Sequence, residues 1–325
     1  MISVHDVEAA AARLDGIAVR TPLVRNHELD EVAGGSVFVK PECLQVTGSF
    51  KIRGAYNFLS QLTPDEAQHG VVTFSSGNHA QGVAAAGAIL GIRTTIVMPE
   101  DAPRAKLENT KRLGGEVITY DRYTGDREAI ARSIAAERGA VVVPSYDHDY
   151  IMAGQGTVGL EIAQDLAALG ITPDEVLVNC GGGGLIAGSA TALKAAFPEV
   201  SVRTVEPEDF DDTARSLASG KRETIRDDAR SICDALQAGT PGKLTFEVNR
   251  RLLSAGLAVS DAEVGAAMRF AFRHLKLVVE PGGAAALAAL LSGKLDTAGK
   301  TVVVVISGGN VDLELYAEIQ REGSG

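Results

Sequence analysis

The chain has 325 residues, 45% hydrophobic and 22% charged, a globular composition that excludes a disordered chain. Lys and Arg number 31 against 42 Asp and Glu, and the net charge of −11 argues against nucleic acid or an anionic membrane surface as a partner. The three cysteines, Cys43, Cys180 and Cys233, show no CxxC spacing, which argues against a disulfide framework or a zinc site and for a reducing compartment.

Taken in chain order, the opening MISVHDVEAAAARL is amphipathic and lacks the basic start and apolar middle of a signal peptide, so a cytoplasmic protein is expected. Short β-branched runs then alternate with Ala- and Leu-rich stretches. Strands are predicted at Val37–Lys40, Val71–Phe74, Thr94–Met98, Val117–Tyr120, Val141–Pro144, Val176–Asn179, Val202–Val205 and Thr301–Ile306. Helices are predicted at Arg127–Arg138, Gly159–Ala168, Gly184–Ala196 and Asp261–Phe272, with an apparent stop at 254–256 before the last of them. Continuous apolar strands such as VVVVI require cover on both faces, which with intervening helices gives an α/β fold of mostly parallel sheets. So many strands predict two such sheets rather than one, in lobes packed around a cleft.

Three polar turns each follow a predicted strand: Ser75-Ser76-Gly77-Asn78-His79, Gly181-Gly182-Gly183-Gly184 and Ser307-Gly308-Gly309-Asn310. Ligands of open parallel sheets bind beyond the carboxyl ends of strands, so the three turns predict one floor for a polar ligand. The four glycines open a helical run. Exposed peptide N–H groups at a helix N-terminus favour a phosphate, although the same string also reads as a tight strand–helix turn. No Lys-Ser/Thr follows, and no GxGxxG with a ribose-binding acid is present, which disfavours a nucleotide. In TGSFKIRGA, Lys51 begins a helical stretch. It reads either as a surface lysine or as an amine whose proton is destabilised by the helix dipole, as a Schiff-base lysine requires.

Together these strings resemble the fold type II pyridoxal-phosphate enzymes, most closely the serine/threonine dehydratase and serine racemase branch. The resemblance spans TPL at 21–23, TGSFKIRGA at 47–55, SSGNHAQG at 75–82, AGQGTVGLEI at 153–162, GGGGL at 181–185, EPEDFDD at 206–212, VVEPGGA at 278–284 and SGGNVD at 307–312. It implies residues 1–69 with 148–325 as a large cofactor-binding domain and 70–147 as a small one, and pyridoxal 5'-phosphate as cofactor, bound through its aldehyde to Lys51. Gly181–Gly184 and Leu185 would hold the phosphate, Phe50 would pack beside the ring, Asn78 would meet the ring hydroxyl, and Ser307 would face the pyridine nitrogen. Ser75, Ser76, Gly77, Asn78 and His79 would bind the substrate's α-carboxylate. Ser76 would also stand on the face opposite Lys51, where racemases use a serine; His79 reads equally as a structural histidine. Glu206, Asp212 and the Phe210 carbonyl would hold Mg²⁺ or Ca²⁺, unless EPEDFDD is only a solvated acidic loop.

The implied reaction is α,β-elimination. Freed Lys51 takes the Cα proton, the β-hydroxyl leaves, and hydrolysis gives a 2-oxo acid and ammonia. L-serine and L-threonine are the expected substrates, with a serine- or aspartate-type racemase as the alternative on the same residues. If Arg127 faces the pocket rather than solvent, 3-hydroxyaspartate becomes a substrate. The absence of a long segment after SGGNVD fits a catabolic enzyme, and the resemblance implies a homodimer. The sequence departs from the family's Ala-Asp-Gly at Cys233-Asp234-Ala235, where Ala235 would narrow the pocket. Tyr146 and His148 line either the substrate or the surface, and Asp147 is expected at the surface.

Overall fold

The computed structural model describes residues 1–75, 77–102, 104–121 and 124–322; at residue 105 it describes the backbone only. Among the described residues there are ten strands: β1 (Val24–Arg25), β2 (Ser36–Pro41), β3 (Val71–Phe74), β4 (Thr94–Pro99), β5 (Glu116–Tyr120), β6 (Val141–Val142), β7 (Glu175–Asn179), β8 (Ser201–Pro207), β9 (Gly256–Val259) and β10 (Thr301–Ile306). They form two sheets, one of six strands in the order β1-β2-β10-β7-β8-β9 and one of four in the order β5-β4-β3-β6. Every pairing is parallel except β1 with β2.

The residues of β10 show why the larger sheet needs helices on both sides. Val302, Val304 and Ile306 enter one core with Ala284–Leu290, while Val303 and Val305 enter another with Ile162, Leu166 and Ile186. Successive strand side chains point to opposite faces, so an unbroken apolar run is stable only between two layers. The helix Pro281–Leu291 supplies one layer and is buried along nearly its whole length, with proline pre-set in its first turn. The smaller sheet follows the same logic. Val72 and Val97 pack on Ala131 and Ala135 of the helix Arg127–Arg138, and Ile96 and Met98 pack on Ala80 and Ala84 of the helix Asn78–Leu90.

Several elements differ from expectation, and the strand expected over Val141–Pro144 ends at Val142. The stop expected at 254–256 follows the end of the helix Lys243–Leu252, but Gly256 then begins β9, which was not expected; a Cβ on it would lie 2.2 Å from the Ala214 Cβ, so this glycine also serves close packing. The helix expected from Gly159 starts at Asp149. The helix predicted from Asp261 does start there, with a capping box: Ser260 Oγ accepts from the Glu263 N–H at 3.3 Å and Glu263 returns the bond to the Ser260 N–H at 2.7 Å. It ends at Phe270 and passes into a wider turn, Ala271–Leu275. No helix among the described residues is long and apolar enough to cross a membrane.

Candidate active site

Parallel pairing sets the carboxyl ends of β7 and β10 side by side in the larger sheet, and residues that follow these two strands and β3 of the smaller sheet line a single cavity of about 920 Å³. Phe50, Lys51, Ser75, Gly77, Asn78, His79, Arg127, Gly181–Gly184, Leu185 and Ser307 all border it. Ser76 lies outside the described residues. Glu206, Phe210 and Asp212 sit apart, at the end of β8 and the start of the helix Asp212–Ser219.

Lys51 is the first residue of the helix Lys51–Leu59, with Phe50 at its cap, and its Nζ donates to the Ser145 carbonyl at 2.8 Å. Burial pushes its amine down to about 8, against an opposing pull from the Glu280 carboxylate. A larger share is therefore uncharged at neutral pH than for an ordinary lysine. The same helix is anchored by Arg53, which is buried with Glu42 and Glu161, each at 2.7 Å, while Glu161 also takes Lys40 at 2.6 Å.

The glycine turn begins one residue after β7 and opens the helix Gly184–Ala196, whose first N–H groups have no intrahelical partners. Gly183 has φ +93°, a conformation that favours glycine, and a Cβ on it would lie 2.7 Å from Asn249 Nδ2. A Cβ on Gly182 would strike the Tyr146 ring at 2.4 Å, and one on Gly184 would meet Gln155 Oε1 at 2.6 Å. Bare peptide at these positions is what an anion cradle needs.

Ser307 Oγ accepts from Asn179 Nδ2 at 2.9 Å. The Asn179 amide is fixed in that sense because its Oδ1 takes the Ala286 N–H at 2.5 Å. The Ser307 hydroxyl proton is thus left to donate into the cavity. Asn78 begins the helix Asn78–Leu90; its Nδ2 donates to Glu280 Oε1 at 2.6 Å and its Oδ1 accepts from Asn310 Nδ2 at 2.8 Å. Sequence reasoning assigned no role to Glu280, although it lies in the VVEPGGA string. Burial and the charge of Asp234 raise its carboxyl to about 7. Gly77 caps that helix and a Cβ on it would meet open space, which leaves the helix N-terminus facing the cavity for an anionic group.

His79 is buried, its Nε2–H donates to the Val143 carbonyl at 3.3 Å, and burial together with Lys51 pushes it down to about 3. It is a neutral histidine with its proton committed to the backbone. Arg127, exposed at the start of its helix, places its guanidinium 5.7 Å from the Phe74 ring centroid at the cavity wall. Ala235 borders the cavity as expected, and Cys233 is fully buried with its thiol pushed up to about 12, an inert group. Asp147 departs from expectation. Its carboxylate accepts from the N–H groups of Lys243, Leu244 and Thr245 at 2.8–3.2 Å and so caps the helix Lys243–Leu252. Thr245 in turn donates to the Gly182 carbonyl at 2.7 Å.

These groups fit pyridoxal phosphate: a glycine cradle for an anion, an amine of lowered pKa, an oriented hydroxyl and an oriented amide. Glu206 and Asp212 are a pair of acids, and no group of three or more His, Cys, Asp or Glu side chains able to hold a metal gathers among the described residues. Both are buried, Asp212 Oδ2 has no hydrogen-bond partner, and burial raises Asp212 to about 7 and Glu206 well above its ordinary range, the latter also through Asp212. Glu206 already accepts from the Thr213 and Ala214 N–H groups at 3.0 and 2.8 Å.

Comparison with known proteins bears on the same site. L-threo-3-hydroxyaspartate ammonia-lyase of a Pseudomonas species is 45% identical over 98% of both chains. L-threonine ammonia-lyase of Thermotoga maritima is 41% identical over 99% of this chain and 79% of its own. Maize serine racemase superposes with a TM-score of 0.92 at 37% identity, covering 98% of this chain and 97% of that one. The family described as pyridoxal-phosphate dependent enzyme matches residues 14–308, a span that holds the amine, the glycine cradle and the Ser307 hydroxyl, and the chain belongs to that family, in its fold type II group.

Proposed function

We propose that the protein is an ammonia-lyase acting on β-hydroxy α-amino acids, with L-threo-3-hydroxyaspartate as its preferred substrate and L-serine and L-threonine as poorer ones. The observation that carries elimination is Ser307, whose hydroxyl is turned by Asn179 to donate. A neutral donor leaves the nitrogen it meets unprotonated, which favours prompt loss of a β-leaving group over a long-lived carbanion. When bound, pyridoxal phosphate supplies the electron sink that weakens the substrate's Cα–H bond. Lys51, held on the Ser145 carbonyl and depressed to about 8, is the base for that proton. The helix N-terminus at Gly77 takes the α-carboxylate, and Arg127 at the cavity wall takes the second carboxylate of hydroxyaspartate.

A screen of L- and D-serine, L-threonine and both 3-hydroxyaspartate diastereomers tests this, reading ammonia release beside chiral analysis of the remaining amino acid. Fastest release from the L-threo isomer is expected. Arg127→Ala is expected to raise KM for that substrate roughly tenfold to a hundredfold while leaving serine within about twofold. Equal losses on both substrates would remove Arg127 from the recognition, and inversion of serine without ammonia would favour the racemase reading, in which Ser76 supplies the opposite face.

The reading includes a divalent cation, Mg²⁺ or Ca²⁺, on Glu206, Asp212 and the Phe210 carbonyl. The partnerless Asp212 Oδ2 supports it. A chelator should lower the melting temperature by roughly 5 °C, with recovery on adding Mg²⁺. An unchanged melting curve would argue against an exchangeable ion.

A further inference from the structure

Glu280 precedes the helix Pro281–Leu291 but makes no cap bond with its side chain. Instead the carboxylate turns into the cavity, where it is 3% exposed and accepts from Asn78 at 2.6 Å. The fold makes room for it. A Cβ on Gly308 would lie 2.1 Å from Glu280 Oε1, while the Gly308 carbonyl accepts from the Glu280 N–H at 3.1 Å. The opposite end of the Asn78 amide is held as firmly. Asn310 Nδ2 gives one proton to Asn78 Oδ1 at 2.8 Å and the other to the Thr47 carbonyl at 2.7 Å. To bring that carbonyl into place, Thr47 adopts φ +66°, an uncommon conformation for a β-branched residue. Three strings of the sequence, around residues 47, 280 and 308, thus converge on one asparagine amide.

Proton counting then restricts what Asn78 can do. The Thr47 carbonyl only accepts, so Asn310 presents its NH₂ end; that donor fixes the carbonyl end of Asn78 and leaves the NH₂ end for Glu280 Oε1. Asn310 has spent both amide protons. Asn78 keeps one N–H unclaimed, and it borders the cavity.

We propose that Glu280 is a positioning residue that locks the Asn78 amide with this remaining N–H directed at an oxygen of the bound cofactor ring. The inference rests on the cofactor site and not on which amino acid is the substrate.

The test is titration of the apoprotein with pyridoxal phosphate, followed by absorbance and by protein fluorescence, for wild type, Glu280→Gln, Asn78→Ala and the double variant. Glu280→Gln keeps the shape but replaces one accepting oxygen with an NH₂ that opposes the Asn78 N–H, so the amide is held from the Asn310 side alone. It should weaken cofactor binding by about tenfold and shift the bound cofactor's absorbance maximum. In the Asn78→Ala background the same substitution should add nothing, since the group it positions is gone. Wild-type affinity and spectrum in Glu280→Gln would overturn the proposal, as would a loss that adds in full to that of Asn78→Ala. If Glu280→Gln fails to fold, Asn310→Ala read against Asn78→Ala examines the same lock from its other end, with the same two outcomes. A wild-type apoprotein that binds no cofactor would instead overturn the cofactor site itself, and the proposal with it.

Discussion

Lys51→Ala is expected to lower 2-oxo acid formation by roughly four orders of magnitude and to erase the covalently bound cofactor's visible absorbance, with the fold intact. On the proposed reading two roles meet in this one amine, attachment point for the cofactor and base for the Cα proton. Neither Phe50 nor Ser145, which the amine touches or faces, offers a side chain able to replace it, and His79 is excluded because its ring is neutral and bound to Val143. Stability should change little. The long stem leaves toward a cavity, and the helix that begins at Lys51 is held by the Arg53 ion pairs and by Ile52, Phe58 and Leu59 in the core. The measurement is a coupled assay for the oxo acid, beside an absorbance spectrum and a melting curve. Undiminished product from the variant would remove Lys51 from the chemistry.

Gly188→Ala should give the largest loss of stability, about 3 kcal/mol or enough to prevent soluble folding. The helices Asp149–Ala168 and Gly184–Ala196 cross with their backbones nearly touching. A Cβ on Gly188 would lie 2.0 Å from the Met152 carbonyl oxygen and 2.6 Å from the Gly156 nitrogen, and one on Gly159 would lie 2.4 Å from the Ser189 carbonyl oxygen. Peptide groups on both sides cannot rotate away, so the helices must separate, and the second of them starts at the glycine cradle. Denaturant melts of the variant check this. Gly265→Ala is the control. It lies in the helix Asp261–Phe270, where the nearest atom to an added Cβ is Arg269 Nη1 at 3.5 Å, and it should be neutral or slightly stabilising.

What the sequence made legible follows from which signals are local. The apolar runs of β3 and β10 have the bounds read from composition, because a strand buried on both faces announces itself without reference to its neighbours. The two-residue β1 is too short to leave a pattern, and β9 was hidden by a glycine that punctuates in most contexts but here lets a helix approach. The helix Asp149–Ala168 carries Gly154, Gly156 and Gly159, which intrinsic propensity counts against a helix; close crossings with Lys51–Leu59 and Gly184–Ala196 override that preference. In the site, the amine, cradle and hydroxyl were readable because each occupies a turn directly after a strand or before a helix. Asp147 and Glu280 were not. Their roles depend on partners 96 and 202 residues away in the chain, which no local spacing encodes.

Three consecutive residues beyond β6 each touch a different part of the machinery: the Ser145 carbonyl holds the Lys51 amine, the Tyr146 ring covers Gly182, and Asp147 caps the helix whose Thr245 holds the Gly182 carbonyl. For recombination among relatives this stretch is the wrong place for a seam. A hybrid that takes its four-stranded sheet from one parent and Lys51, the glycine turn and the helix Lys243–Leu252 from another keeps these contacts matched only if its junction falls between β6 and residue 145, so that the tripeptide travels with its partners.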